Sequence, residues 1–311
     1  MPALSAFLYT LAAGSGAAAA LRQSDAAPIF CFHNVVRERM AGGPGDASLH
    51  LSVSEFASAL EVIAALFTII PLEELRSRLR SGRALRGTAC LTFDDAYRGA
   101  IVHAIPLLRR RAYPATVFVV SDAAAEPRAF WWDVERLNDE DRSRLLVELN
   151  GDGRRISAAT HVAVPDDMLP GNWELLESSI DETIVAGCHT ATHRNLSTLS
   201  DAEIDEELRS SRDVIAGRVR YASVLAYPYG FASRRVVTAA ARAGFDCAVT
   251  LGFGRVHRGS HEHALPRVNV PAGLRTETLE CWSSGLRFGR APIRVSREGS
   301  STIPSGERRL T

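Results

Sequence analysis

Two short stretches of the sequence bring metal-ligating and proton-moving side chains together. Thr92-Phe93-Asp94-Asp95 sets two carboxylates side by side at the end of an apolar run. Neighbouring side chains on a strand face opposite ways, so the pair converges on one site only if the chain turns at Asp95. One carboxylate can then ligate a cation while the other moves a proton. His189-Thr190-Ala191-Thr192-His193 sets two imidazoles four residues apart, a spacing from which both reach one ion on a helical turn or a loop. Two His and one Asp leave coordination positions for water and a substrate oxygen, which is the arrangement of a catalytic metal site. The donor set suits zinc first, with cobalt, nickel or iron as alternatives. In Tyr227-Pro228-Tyr229-Gly230 the proline ends a strand ladder and turns the chain, aiming the Tyr229 backbone N–H at a ligand.

These residues lie far apart in the chain, and the elements around them explain how they meet. Apolar, β-branched runs predict seven strands: Ile29 to His33, Ala89 to Asp94, Ala115 to Val120, Thr183 to His189, Val224 to Tyr227, Asp246 to Leu251 and Ala264 to Val270. Helical periodicity lies between most of them, over Ser54 to Leu66, Leu72 to Leu79, Gly99 to Arg111, Asp201 to Arg218 and Ser233 to Ala243. Ser200 with Glu203 predicts a capping box at the start of the fourth helix. The pattern is α/β with a parallel sheet, closed or open. In both forms the carboxyl ends of the strands converge on one face, which gathers His33, Asp94, Asp95, His189, Tyr229 and Arg267.

The chain has 311 residues, enough for one barrel domain over 28–284. Within it, residues 121–179 read as an insertion forming a lid or wall beside the site, with Phe130 to Trp132 as an aromatic wall for a substrate's apolar face or as core packing. Residues 1–27 form an apolar N-terminal helix or extension, and residues 285–311 an Arg-, Ser- and Gly-rich tail expected to fray. Basic and acidic residues balance at 36 each, so no net field draws nucleic acid to the molecule. Every basic residue among those 36 is arginine, which excludes a Schiff-base lysine. Five scattered cysteines, without a C-x-x-C pair, read as small buried hydrophobes. No basic residue precedes Arg22, so the apolar start is unlike a signal peptide; it is expected to cap the fold or lie on a membrane surface. This sets the protein in the cytoplasm, membrane-peripheral at most, with export as the lesser alternative.

T-F-D-D, H-T-x-x-H and P-Y-G, in that order and each after a strand, resemble the polysaccharide deacetylase (NodB-homology) family, also called carbohydrate esterase family four. The resemblance extends over about Phe30 to Val270. It includes F-H-N-V, P-A-T-V-F-V-V-S, Trp131-Trp132-Asp133 and L-P-R-V-N-V, phrases of the branch associated with exopolysaccharides and surface glycans. It implies a distorted seven-stranded (β/α) barrel, a divalent metal on Asp95, His189 and His193, Asp94 as general base, and the Tyr229 N–H as an oxyanion contact. The implied activity is removal of an N-acetyl group from an amino sugar in a glycan or glycan precursor.

Three positions depart from the family's pattern. Ala226 stands where an arginine usually accompanies the base, and Arg267 is expected to supply that charge from the last strand. Ala96 replaces a glycine after the second aspartate. No L-x-L-x-H stretch supplies an acid histidine, so His33 is the candidate acid, with His257, His261 and His263 as competitors. These departures leave two alternative functions: a catalytically impaired carbohydrate-binding barrel, or an amidohydrolase acting on a non-sugar amide.

Overall fold

A computed structural model describes residues 2–39, 45–135, 137–156 and 163–288. Seven strands form its centre: β1 (Ile29–Phe32), β2 (Thr88–Phe93), β3 (Ala115–Val119), β4 (Ile184–Cys188), β5 (Tyr221–Ala226), β6 (Cys247–Phe253) and β7 (Leu265–Asn269). Each pairs in parallel with the next, and β7 returns to β1 through Val268 opposite Phe30 and Asn269 opposite Cys31, which closes the barrel. Register shifts between β4 and β5 and between β6 and β7 distort it. A two-residue strand, Thr68–Ile69, adds to the start of β2.

The strands are buried on both faces because their two side-chain rows enter two different cores. Ile29, Cys90, Phe118, Val224, Ala226, Val249 and Leu265 pack inside the barrel. Phe30, Phe32, Leu91, Phe93, Val117, Val119, Leu225 and Val268 face outward onto helical residues such as Phe56, Leu60, Leu108, Ile204, Leu208 and Val236. The period of two therefore dictates which polar residues enter the lumen: Thr92 and Asp94 continue the row of Cys90, Cys31 that of Ile29, and Arg267 that of Leu265.

Capping boxes start the helices Val53–Leu66, through Ser52 and Glu55, and Asp201–Ala216, through Ser200 and Glu203. The helix expected over Gly99 to Arg111 is divided into a wide-turned stretch, Ala100–Ala104, and an ordinary helix, Ile105–Arg110. Pro106 is the reason, since its nitrogen carries no hydrogen and its ring crowds the carbonyl one turn earlier.

At the amino terminus, helices Pro2–Gly14 and Ala17–Arg22 pack against Thr276–Ser283. Tyr9 Oη accepts from Trp282 Nε1 at 2.9 Å and donates to the Phe288 carbonyl at 3.1 Å. Phe7, Leu11 and Leu21 remain exposed, and no helix of the described residues is long and apolar enough to cross a membrane. Beyond Phe288 the expected tail lies outside the described residues. All five cysteines are buried and reduced.

Candidate active site

Asp94 follows directly on β2 with its carboxylate in the barrel, where Arg267 grips it. Arg267 Nη1 donates to Oδ1 at 2.7 Å and Nη2 to Oδ2 at 2.6 Å; Nη1 also meets Thr92 Oγ1 at 3.2 Å, and Nε donates to the Thr250 carbonyl at 2.9 Å. The guanidinium is wholly buried, and its planar fork matches both carboxylate oxygens. Arg267 occupies the middle of β7 rather than its end, and it reaches Asp94 because it points into the lumen. Ala226 is buried at the end of β5. Burial pushes the Asp94 carboxyl up, but the Arg267 guanidinium, aided by His189, holds it well below the usual carboxylate range.

One residue on, Asp95 turns the chain with a φ of 67° and brings its carboxylate to the same face. The histidine loop reaches it through two further left-handed residues, Thr190 (φ 67°) and His193 (φ 59°). Ala96 (φ 48°) and Tyr229 (φ 58°) share this conformation. For residues with a Cβ it costs about 1–2 kcal/mol each, and such strain collects where surroundings hold a functional geometry.

His189 Nδ1 donates to the Ala226 carbonyl at 2.7 Å, which leaves the Nε2 lone pair pointing into the site. His189 Nε2 and His193 Nε2 lie 3.2 Å apart, and Asp95 Oδ1 stands 3.5 Å from the first and 3.3 Å from the second. Four-coordinate zinc with bonds of about 2.0–2.1 Å separates its ligands by roughly 3.3 Å, so the triangle has the edge lengths of a tetrahedral face. Asp95 Oδ1 is buried without a hydrogen-bond partner among the described residues, an expense that a cation would remove. Burial, followed by the neighbouring His189, pushes the His193 imidazole down to about 3, keeping it neutral as a ligand must be. The three residues fit a divalent transition metal.

His33 follows β1, partly exposed, with a ring nitrogen within 4.8 Å of Cys31 Sγ and an Asp94 oxygen. Burial, outweighing the nearby carboxylates, lowers the His33 pKa. In this trio the Arg267 guanidinium already neutralises Asp94, and Cys31 Sγ donates to Asp94 Oδ2 at 3.5 Å. The three competing histidines lie elsewhere. His257 belongs to a short strand paired with Ala26–Ala27, and His261 and His263 precede β7, with His263 Nε2 against the Phe245 carbonyl that precedes β6. All three thus lie toward the amino ends of these strands, away from the carboxyl ends that carry Asp94, Asp95 and His189.

Tyr229 stands beside the candidate metal ligands, its ring centroid 4.6 Å from that of His193. Its hydroxyl accepts from Trp131 Nε1 at 3.2 Å and donates to the Gly151 carbonyl at 3.1 Å. Trp131 and Trp132 are 2% and 4% exposed. They are core packing behind His193 and Tyr229 rather than an open platform for a sugar.

Two groups were not singled out from the sequence. Asn34 Nδ2 donates to His50 Nδ1 (3.0 Å), His50 Nε2 to Asp133 Oδ1 (2.9 Å), Tyr97 Oη to Asp133 Oδ2 (2.6 Å) and Trp132 Nε1 to Tyr97 Oη (2.8 Å). This buried chain ties the segment after His33 to the Trp132 ring, whose centroid is 4.7 Å from that of His193. Asn34, Trp132 and Asp133 fall in phrases that carry the family resemblance, but no spacing in the sequence links them to His50 and Tyr97. The second, Glu207, did leave a signal: with Ile204, Leu208, Ser211 and Ile215 it lies on the buried stripe of its helix, where a carboxylate needs partners.

No curated protein matches the chain. Among solved structures it resembles deacetylase PplD of Streptococcus pyogenes in complex with acetate, at 17% identity and a TM-score of 0.61 over 83% of this chain and 98% of that one. IcaB from Ammonifex degensii gives 19% and 0.60 over 84% and 98%. The BpsB deacetylase domain from Bordetella bronchiseptica gives 19% and 0.55 over 80% and 97%. At these identities the likeness is one of fold. The profile of the polysaccharide deacetylase family matches residues 82–248, more than half of the sequence and a stretch holding Asp94, Asp95, both site histidines and Tyr229. The chain therefore belongs to the polysaccharide deacetylase family, hydrolases of carbon–nitrogen bonds other than peptide bonds.

Proposed function

We propose that this protein removes the N-acetyl group from an amino sugar of a glycan or glycan precursor, and that it needs a divalent metal held by Asp95, His189 and His193. The observation that carries the metal requirement is the triangle of two Nε2 atoms and one carboxylate oxygen, 3.2–3.5 Å on a side, with Asp95 Oδ1 buried and unpartnered among the described residues. When bound, a metal of the zinc, cobalt, nickel or iron type would lower the pKa of a water and polarise the amide carbonyl.

The protein's own residues supply the proton traffic. Asp94, ionised and oriented by Arg267, accepts the proton of the attacking water. The Tyr229 backbone N–H stabilises charge developing on the carbonyl oxygen. His33, beside Asp94 and reachable from solvent, donates a proton to the departing sugar amine. The Arg267–Asp94 pair weakens the reading as a catalytically impaired barrel, since that reading drew support from the missing arginine at position 226. Acetate release from a panel of N-acetylated glycans, with and without a chelator, tests the proposal. Release that stops with chelator and returns with zinc is expected. Release indifferent to chelator would refute the metal requirement, and none from any N-acetylated sugar would refute the substrate class.

We also propose that the protein works in the cytoplasm against an anionic membrane surface. Phe7, Leu11 and Leu21 expose apolar surface on the amino-terminal helices. In sequence, residues 289–311 carry Arg290, Arg294, Arg297, Arg308 and Arg309 against Glu298 and Glu307. Apolar insertion beside basic charge suits anionic headgroups. In flotation with vesicles, the full chain is expected to rise with anionic but not neutral lipid, and Phe7→Glu with Leu11→Glu to abolish this. Failure of the unaltered chain to float would contradict it.

A further inference from the structure

We infer that Glu207 is a positioning residue for the metal-binding loop, fixing where His193 stands. The inference rests on the proposed metal site.

Glu207 lies on the buried stripe of helix Asp201–Ala216 and is 2% exposed. A carboxylate there needs several hydrogen bonds, and it takes all of them from the loop between the two histidines and the residue just after it. Oε2 accepts the backbone N–H groups of Ala191 at 3.0 Å and Thr192 at 2.9 Å. Oε1 accepts from the Thr192 hydroxyl and, at 2.9 Å, from Arg194 Nε. Arg194 thus neutralises the buried charge, and its Nη1 reaches on to Glu203 at 3.2 Å.

The two histidines are held differently. His189 directly follows β4, and its ring is fixed by the Ala226 carbonyl. His193 Nδ1 has no hydrogen-bond partner among the described residues, so nothing equivalent orients its ring. Its position depends on its backbone, which is left-handed at both Thr190 and His193. Such backbone persists only when its surroundings over-determine it. Thr190 Oγ1 contributes by accepting the His193 N–H at 3.1 Å, and the N–H groups of Ser121 and Asp122 hold the carbonyls of Thr190 and Ala191. Glu207 supplies the remaining, charge-assisted contacts. An outer partner of a metal ligand typically affects affinity by about 10–100-fold, and Glu207 acts on His193 through the loop in the same sense.

Glu207→Gln keeps the shape and one acceptor oxygen but turns an amide donor toward Arg194. Zinc affinity is read by chelator competition, and ligand geometry by the visible absorption of the cobalt-substituted protein. The expected result is a folded variant binding zinc about 10–100-fold more weakly than the unaltered chain. Its cobalt spectrum should be changed. A folded variant with unchanged affinity and spectrum overturns the inference. If Glu207→Gln does not fold, Thr192→Val removes one contact and keeps the carboxylate. A several-fold loss of zinc affinity there supports the inference, and no loss overturns it. Failure of the unaltered chain to bind zinc would overturn the metal site itself, and Glu207's role with it; normal binding there separates the two outcomes.

Discussion

A carboxylate gripped through both oxygens at 2.6–2.7 Å is kept ionised and fixed in orientation, and both properties serve the role proposed for Asp94 as general base. The depressed Asp94 pKa also has a stability consequence. Its contribution is fully present above the unfolded carboxyl value, near 3.8, and is lost as pH falls through the lower folded value, so the pair is intact at neutral pH. Asp94→Asn is expected to lower turnover by about 10²–10⁴-fold while metal stays bound. Because the substitution leaves the Arg267 charge buried without its counter-ion, it should also cost about 3–5 kcal/mol in denaturant unfolding. Loss of metal in step with activity would instead make Asp94 a ligand. Arg267→Met removes the charge that holds the Asp94 pKa down, so Asp94 protonates at higher pH and the acidic limb of the kcat/KM profile moves upward. His33→Ala should disturb the basic limb instead. An acidic limb unmoved by Arg267→Met would show that the guanidinium does not tune the base.

At the scale of elements, the strand ends and their left-handed turns decide whether the side chains meet. Ala96 tests this directly. It is buried at a φ of 48°, where glycine carries no Cβ penalty, so Ala96→Gly is expected to be neutral or to raise stability by under about 1 kcal/mol. A loss of more than about 1 kcal/mol in thermal unfolding would mean that its methyl group matters more than its backbone. The strands themselves were legible because all seven are short, apolar and bounded by turn residues. The trio of Asp95, His189 and His193 was legible because each follows a strand. Arg267 was expected among the strand ends, and its mid-strand position with an inward side chain follows from β7 register, which needs the closed barrel. Glu207 was legible in principle, as a carboxylate on an apolar stripe, but its partners on the histidine loop lie 13 to 16 positions away and meet it only after the helix docks. Trp131 and Trp132 show the opposite difficulty, because aromatic residues read alike as a sugar platform or as core until their exposure is known.

For the whole molecule, closure of β7 on β1 brings Arg267 and Asp94, 173 positions apart, into direct contact. The chemistry is thus divided between distant parts of the chain, and only the complete barrel assembles it. The most direct test of the central claim is metal content by elemental analysis of the purified protein, compared with a His189→Ala and His193→Ala double variant. About one divalent transition metal per chain in the first, and none in the second, is the expected result for a three-residue site. A double variant that remains loaded, or an unaltered chain that holds no metal after exposure to zinc, would contradict it.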